Sequence, residues 1–200
     1  AREIVLSLNA EAQHIFDLLS DIPSLLSEVQ TKIPTAIHEL RNGQREMEEQ
    51  NYYLRHLELT EALDNIEKEL EQLKECIAKL EIDKVKPRID EINNEIDRFY
   101  DLLEKEVMAK KYVDIHCSPL RENLHKLMVL TREINDEATY VQHSYRLSDK
   151  EAEIPRNCLK QLEILHKRYE LLAMRVTEEK SAYSSLKEEL EQINEELASI

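Results

Sequence analysis

Apolar side chains recur three and four residues apart over most of the chain. The longest series is Leu162, Leu165, Tyr169, Leu172, Val176, Tyr183, Leu186, Leu190, Ile193, Leu197 and Ile200, and Glu179 is the one polar residue on its heptad positions. A helix carrying such a stripe must lay it against other helices. No Gly, Asn or Pro stops the pattern before Ile200. We therefore expect one long terminal helix, capped by Ser148 or Asp149, and a chain cut from a longer helical rod.

The earlier part reads as a succession of helices. Residues 2–19 place Ile4, Leu8, Ile15 and Leu18 on one side, and Ser20-Asp21-Ile22-Pro23 predicts a stop and a restart. The next helix carries Leu26, Val29, Ile33, Ile37 and Leu40, with a bend at Pro34. Asn42-Gly43 is the strongest turn dipeptide, and Asn51 suits a left-handed helix end, so a break is expected between residues 42 and 53. A regular heptad follows through Leu59, Leu63, Ile66, Leu70, Leu73, Ile77 and Leu80. Asp83 then serves as a cap, with Pro87 in the first turn of a helix through Ile89, Ile92, Ile96, Phe99 and Leu103, ending near His116. Ser118-Pro119 predicts another start, and the stripe continues as Leu120, Leu124, Leu127, Thr131, Ile134, Ala138, Val141 and Tyr145.

Short turns force neighbouring helices antiparallel. The expected organisation is a helical segment at 1–52, an up-down-up three-helix unit at 53–147 and an outgoing long helix at 148–200. The object is all-α and elongated, with antiparallel three-helix bundles joined by long helices. Pairs four apart, such as Glu75–Lys79, Glu106–Lys110, Glu122–Lys126 and Glu163–Lys167, are assigned to outer faces, where each contributes about 0.2–0.5 kcal/mol.

Composition agrees with this pattern. Ala, Glu, Lys, Leu and Arg supply half of the 200 residues, and there are one Gly, five Pro and no Trp. Such a chain lacks the turn residues of a β-rich or α/β fold. A net charge of −15 argues against nucleic acid and anionic lipid as partners, and Lys110-Lys111 is too small a basic patch to reverse that. No stretch approaches the ~20 apolar residues of a membrane span. Cys76, Cys117 and Cys158 are scattered and odd in number, which suits a reducing cytoplasm, and Cys158 falls in the stripe one heptad before Leu165 as a small core residue.

Candidate chemistry is sparse. Glu-x-x-His occurs at Glu11/His14, Glu122/His125 and Glu163/His166, the spacing that di-iron helical bundles use on inward faces. The heptad phase turns Glu122 and His125 to water, puts Glu163 outside and leaves His166 flanking. In a chain this rich in Glu such spacings also arise by chance, so no metal site is assigned. His56 sits one turn before Leu59 and reads as a half-buried core histidine. His116-Cys117 would need an orienting third group and a cleft to act as a thiolate–imidazole pair. Tyr169 and Tyr183 sit in the stripe as core aromatics, and Tyr52-Tyr53 form either an exposed contact patch or the closure of a bundle end. No catalytic residue and no cofactor are predicted.

Four stretches carry a family resemblance. Tyr53-Leu-Arg-His-Leu-Glu58, Ile96-Asp-Arg-Phe-Tyr-Asp-Leu-Leu-Glu-Lys-Glu-Val107 with Ala109-Lys-Lys-Tyr-Val113, Arg41-Asn-Gly-Gln-Arg-Glu-Met47 and Leu186-Lys-Glu-Glu-Leu-Glu-Gln-Ile193 together resemble the cytoplasmic region of the EzrA family. These are the septation ring formation regulators of low-GC Gram-positive bacteria. The resemblance implies spectrin-like triple-helical repeats behind an N-terminal membrane anchor, at the cytoplasmic face of the plasma membrane at the septum. It also implies negative regulation of the FtsZ ring and contact with FtsZ and wall-synthesis proteins. The anchor and the family's C-terminal Gln/Asn/Arg-rich patch are not in this sequence, so no functional residue is carried across. The expected function is a non-catalytic division scaffold. The rivals are a dimeric coiled-coil filament segment, disfavoured by the short turns at Asp83 and Ser118, and a metal-dependent bundle enzyme built on the Glu-x-x-His pairs.

Overall fold

The computed structural model describes residues 2–145, 148–178 and 181–200, excepting the side chains of residues 2–8, 14, 18 and 142–145. The elements are α1 (Arg2–Ser27), a π-helical turn (Glu28–Lys32), α2 (Ile33–Glu49), a 3-10 turn (Arg55–Leu57), α3 (Leu59–Ala78), α4 (Ile82–Tyr145), α5 (Asp149–Glu178) and α6 (Tyr183–Ser199). No strand occurs among the described residues, so the all-α expectation holds. The chain forms two compact units, one of residues 1–50 and 54–103, the other of residues 51–53 and 104–200.

In the first unit α1, the π turn and α2 run on without a gap and bury Leu25, Val29, Ile33, Ile37 and Leu40. The irregularity expected at Pro34 is present as the π turn. Pro34 has no N–H for the carbonyl one turn back and its ring would crowd that carbonyl. The wider turn answers this, and the Ile33 N–H reaches back five residues to the Glu28 carbonyl. From α3 come Leu59, Leu63, Ile66, Leu70, Leu73 and Ile77, and from α4 Ile82, Val85, Ile89, Ile92, Ile96, Phe99 and Leu103. Burying each Leu or Ile contributes about 1.5–3 kcal/mol. Rim contacts give the directions. Arg41 meets Asp64 at 2.6 Å and Gln44 meets Thr60, so α2 and α3 are antiparallel. Arg88 with Glu69 shows the same for α3 and α4. Asp21 with Lys86 and Glu39 with Tyr100 rise together, so the α1–α2 run is parallel to α4.

In the second unit α4 supplies Ala109, Val113, Leu120, Leu124 and Met128. α5 supplies Ala152, Leu162, Leu165, Tyr169 and Leu172, and α6 supplies Tyr183, Leu186, Leu190 and Ile193. Arg132–Glu163 and Cys117–Tyr169 make α4 and α5 antiparallel, and Arg168–Glu196 makes α5 and α6 antiparallel. Lys110 with Tyr183 and Tyr112 with Lys187 rise together, so α6 is parallel to α4.

Several expected boundaries are corrected. The helix runs straight through Ser20–Pro23, because the missing N–H costs one hydrogen bond while the stripe continues on both sides. Ser118-Pro119 does not restart a helix either, since both lie inside α4. Asn42-Gly43 lies within α2, where Gly43 has open space around it, and the break falls just after Glu49. Asn51 does take the left-handed conformation (φ 65°). Asp83 stands in the first turn of α4, whose first residue is Ile82, so Pro87 comes later than the first turn. The single terminal helix is two helices, α5 and α6, and the stripe residues Leu162, Leu165, Tyr169, Leu172, Tyr183, Leu186, Leu190 and Ile193 are buried where the chain folds back on itself. Ser148 and Glu151 do close a reciprocal capping box at the start of α5: the Ser148 N–H donates to the Glu151 carboxylate at 3.1 Å and the Glu151 N–H to the Ser148 hydroxyl at 3.4 Å. Past Leu124 the expected stripe is also altered, since Leu127 is 40% and Ile134 56% exposed while Met128 is buried. Met128 lies on the sector of α4 that Cys117 turns to α5 (100° per residue), and Leu127 and Ile134 do not.

Between α3 and α4 the chain reverses in three residues. The Leu80 N–H bonds the Ile77 carbonyl and the Glu81 N–H the Cys76 carbonyl, a Schellman end with Leu80 at the left-handed position (φ 62°). Leu80 is largely exposed, so its Cβ suffers there without much burial in return. Leu80→Gly should stabilise the chain by about 0.5–1 kcal/mol. The check is a higher urea midpoint at unchanged slope; a lower midpoint would show that residue 80 does not hold this conformation.

Candidate functional site

The densest polar chemistry lies in the second unit, around the start of α6. Glu106, on the inner face of α4, is 2% exposed, and it is the one fully buried charged residue among those described. Its Oε2 accepts the Tyr183 N–H at 2.8 Å and the Ser184 N–H at 3.3 Å. Ala182, which precedes α6, has no side chain that can cap it. The orphan N–H groups and positive dipole end of α6 are therefore satisfied by a carboxylate from another helix. The expected Glu106–Lys110 pair on an outer face is corrected accordingly: Glu106 faces inward because α6 needs an acceptor there.

One turn on, Lys110 donates to the Tyr183 hydroxyl at 3.0 Å. Its ammonium lies 4.6 Å from the Tyr183 ring centroid and 5.3 Å from that of Tyr52. Tyr52 meets Tyr183 edge-on at 5.4 Å. Of the two readings of Tyr52-Tyr53, bundle closure is therefore right for Tyr52, which is buried in this cluster. Burial pushes the Tyr52 phenol above its usual range, although Lys110 pulls the other way. For Lys110 burial acts downward, but its hydrogen bond to Tyr183 and the nearby negative groups outweigh it and leave the ammonium above its usual range. A lysine held protonated is no nucleophile. The cluster is a clamp joining the 51–53 stretch, α4 and α6.

A second polar–apolar site occupies the first unit. His56, Glu58, Glu61, Glu95, Arg98 and Phe99 help line an open groove of about 560 Å³ along the 3-10 turn, α3 and α4. Glu58, just before α3, is left-handed (φ 50°). His56 is corrected from half-buried to exposed, because α3 begins only at Leu59 and His56 has left the stripe.

The remaining candidates are dispersed. Glu122 and His125 are exposed, and Glu163 faces Arg132 at 3.7 Å. His166 is half-buried with Nε2 3.7 Å from Glu170, and its Nδ1 has no hydrogen-bond partner among the described residues. Glu11 is exposed, and the side chain of His14 lies outside the described residues. No group of three His, Cys, Asp or Glu among the described residues is placed to hold a metal ion. His116 and Cys117 turn to different neighbours. His116 stacks on Tyr112 at 4.2 Å, while the Tyr169 hydroxyl donates to the Cys117 carbonyl at 2.9 Å with Sγ 3.2 Å away. Burial, followed by the hydrogen bond with Cys117, raises the Tyr169 phenol well above its usual range. Cys158, expected in the core, is half-buried.

The fold and these sites define an all-α protein of in-register helices whose best-built polar clusters serve helix ends. Over residues 1–200 the chain matches the family model described as "Septation ring formation regulator, EzrA", and it belongs to that family. A septation ring formation regulator EzrA of Geobacillus sp. (strain WCH70) is 43% identical over 193 residues, which are 96% of this chain and 34% of the relative. That of Geobacillus kaustophilus is 41% identical over 183 residues (92% and 32%), and that of Listeria innocua 30% identical over 200 residues (100% and 35%). The chain thus spans about a third of the length of these relatives. No solved structure matches.

Two outcomes follow. Glu106→Ala leaves the buried Tyr183 N–H and the part-buried Ser184 N–H of α6 without this acceptor and should cost about 2–3 kcal/mol in urea unfolding; an unchanged midpoint would mean that the carboxylate does not cap α6. Tyr52, Tyr100 and Tyr169 all have phenols raised from 10.0 in the fold. Their contribution to stability is complete below pH ~10 and is lost as pH rises through the folded values, because only the unfolded chain then releases the protons. Absorbance titration near 295 nm should show these three phenols ionising above the usual value of 10.0, together with falling stability above pH ~10. Ionisation of all eight tyrosines in a single step near 10 would contradict it.

Proposed function

We propose that this chain is a non-catalytic structural and regulatory segment of a septation ring formation regulator. In this reading it restrains FtsZ ring assembly and presents helix surfaces to other division proteins. The observation that carries the reading is the family match over the whole chain. The relatives' name supplies septation; FtsZ and wall-synthesis proteins are proposed as the contacts.

The architecture supports a scaffold. Each unit combines helices that alternate in direction around one apolar stripe, as spectrin-like repeats joined by long helices would. In the second unit Leu127, Leu130 and Ile134 are exposed. They share the sector of α4 that carries Tyr112, over whose ring the α6 residue Lys187 sits. A further helix of the full-length protein suits that face. No helix of the described residues is long and apolar enough to cross a membrane. In the proposed arrangement an N-terminal anchor elsewhere in the protein holds this segment at the cytoplasmic face of the septal membrane.

Sedimentation of purified FtsZ polymers tests the regulatory part. Adding the 200-residue chain in the presence of GTP should lower the pelleted fraction in a dose-dependent way. An unchanged pellet across a molar excess of the chain would remove FtsZ as a target of this segment.

A further inference from the structure

Helix α5 carries a second stripe on its outer side. Lys160, Ile164, Lys167, Leu171, Met174 and Glu178 follow at 4-3-4-3-4 spacing, the period of a coiled-coil seam. All six are exposed, with Ile164 at 60%, Leu171 at 62% and Met174 at 57%. The inward stripe of the same helix, from Leu162 through Leu165 and Tyr169 to Leu172, is buried separately. The outer stripe is therefore surplus to the core of this unit.

We propose that this outer stripe pairs antiparallel with the same stripe of a second copy of the chain. The charge order selects both occupant and direction. The stripe is basic at its start and acidic at its end, with its apolar residues between. A two-fold axis through the level of Tyr169 sets Lys160 opposite Glu178 of the second copy, Ile164 opposite Met174, and Lys167 opposite Leu171. Each opposition occurs twice, as an isologous contact requires. The methylene stem of Lys167 covers Leu171 while its ammonium stays in water. Parallel pairing in register would stack Lys160, Lys167 and Glu178 each on its own copy, and like charges set against each other reject that alignment. The contact is small, with three apolar residues per copy, so it forms a weak, concentration-dependent dimer.

Sedimentation equilibrium of the 200-residue chain under reducing conditions tests this. The wild type should show a monomer–dimer equilibrium with a dissociation constant on the order of 10–100 µM. Lys160→Glu or Glu178→Lys alone should weaken it about tenfold, since each replaces two symmetric attractions by repulsions. The double variant Lys160→Glu/Glu178→Lys should restore the wild-type constant. Leu171→Glu should abolish the dimer while circular dichroism and the urea midpoint stay unchanged. A wild-type chain that stays monomeric to several hundred micromolar would overturn the proposal. So would a dimer that survives Leu171→Glu but is lost in Ile134→Glu, which would place the contact on α4, and so would failure of the charge swap to restore association.

Discussion

The structure depends on the buried stripe along α4, which is apolar except at Glu106. This helix supplies Ile82, Val85, Ile89, Ile92, Ile96, Phe99 and Leu103 to the first unit, and Ala109, Val113, Leu120 and Leu124 to the second. The other helices bury their faces against it, and α4 itself buries a stripe in each unit. The stripe holds its phase from Leu103 to Glu106 by a three-residue step, so no loop is needed where one unit gives way to the next in sequence. Pro119 lies inside this helix and removes one backbone donor, a cost of about 3 kcal/mol in an isolated helix interior. The helix persists because Leu120 and Leu124 lie immediately beyond and are almost fully buried.

Glu106 shows how such a stripe takes up a polar residue. A carboxylate in a core position is costly unless it is hydrogen-bonded. Here the N-terminus of α6 arrives with unpaired N–H groups and a partial positive charge, and each satisfies the other. Lys110 and the Tyr52–Tyr183 pair close over the same place. The clamp accounts for why α6 starts at Tyr183 when no local residue caps it.

The helical class and most buried positions were legible in the sequence, because heptad spacing reports directly on which side of a helix is covered. Asn51 and the Ser148 cap were also legible, since their backbone requirements are local. The helix boundaries at Pro23 and Ser118-Pro119 were misread for one shared reason. Pro and its flanking cap residues signal a first turn, but tertiary packing on both sides can carry a helix through them. The turn between α5 and α6 was hidden in the opposite way, because the apolar spacing stays in phase across it; Glu179, outside the described residues, was the one polar interruption. Glu106 looked like half of a surface ion pair, since nothing in its own helix reveals that another helix ends against it. His56 left the core once the first turn of α3 proved to begin three residues later.

Amide hydrogen exchange along α4, followed by mass spectrometry, tests the continuous shared helix most directly. Peptides spanning residues 100–124 should be uniformly protected, with no fast-exchanging window at His116–Leu120. Rapid exchange confined to those residues, with protection on either side, would show two helices meeting at Ser118-Pro119 and would contradict a single α4.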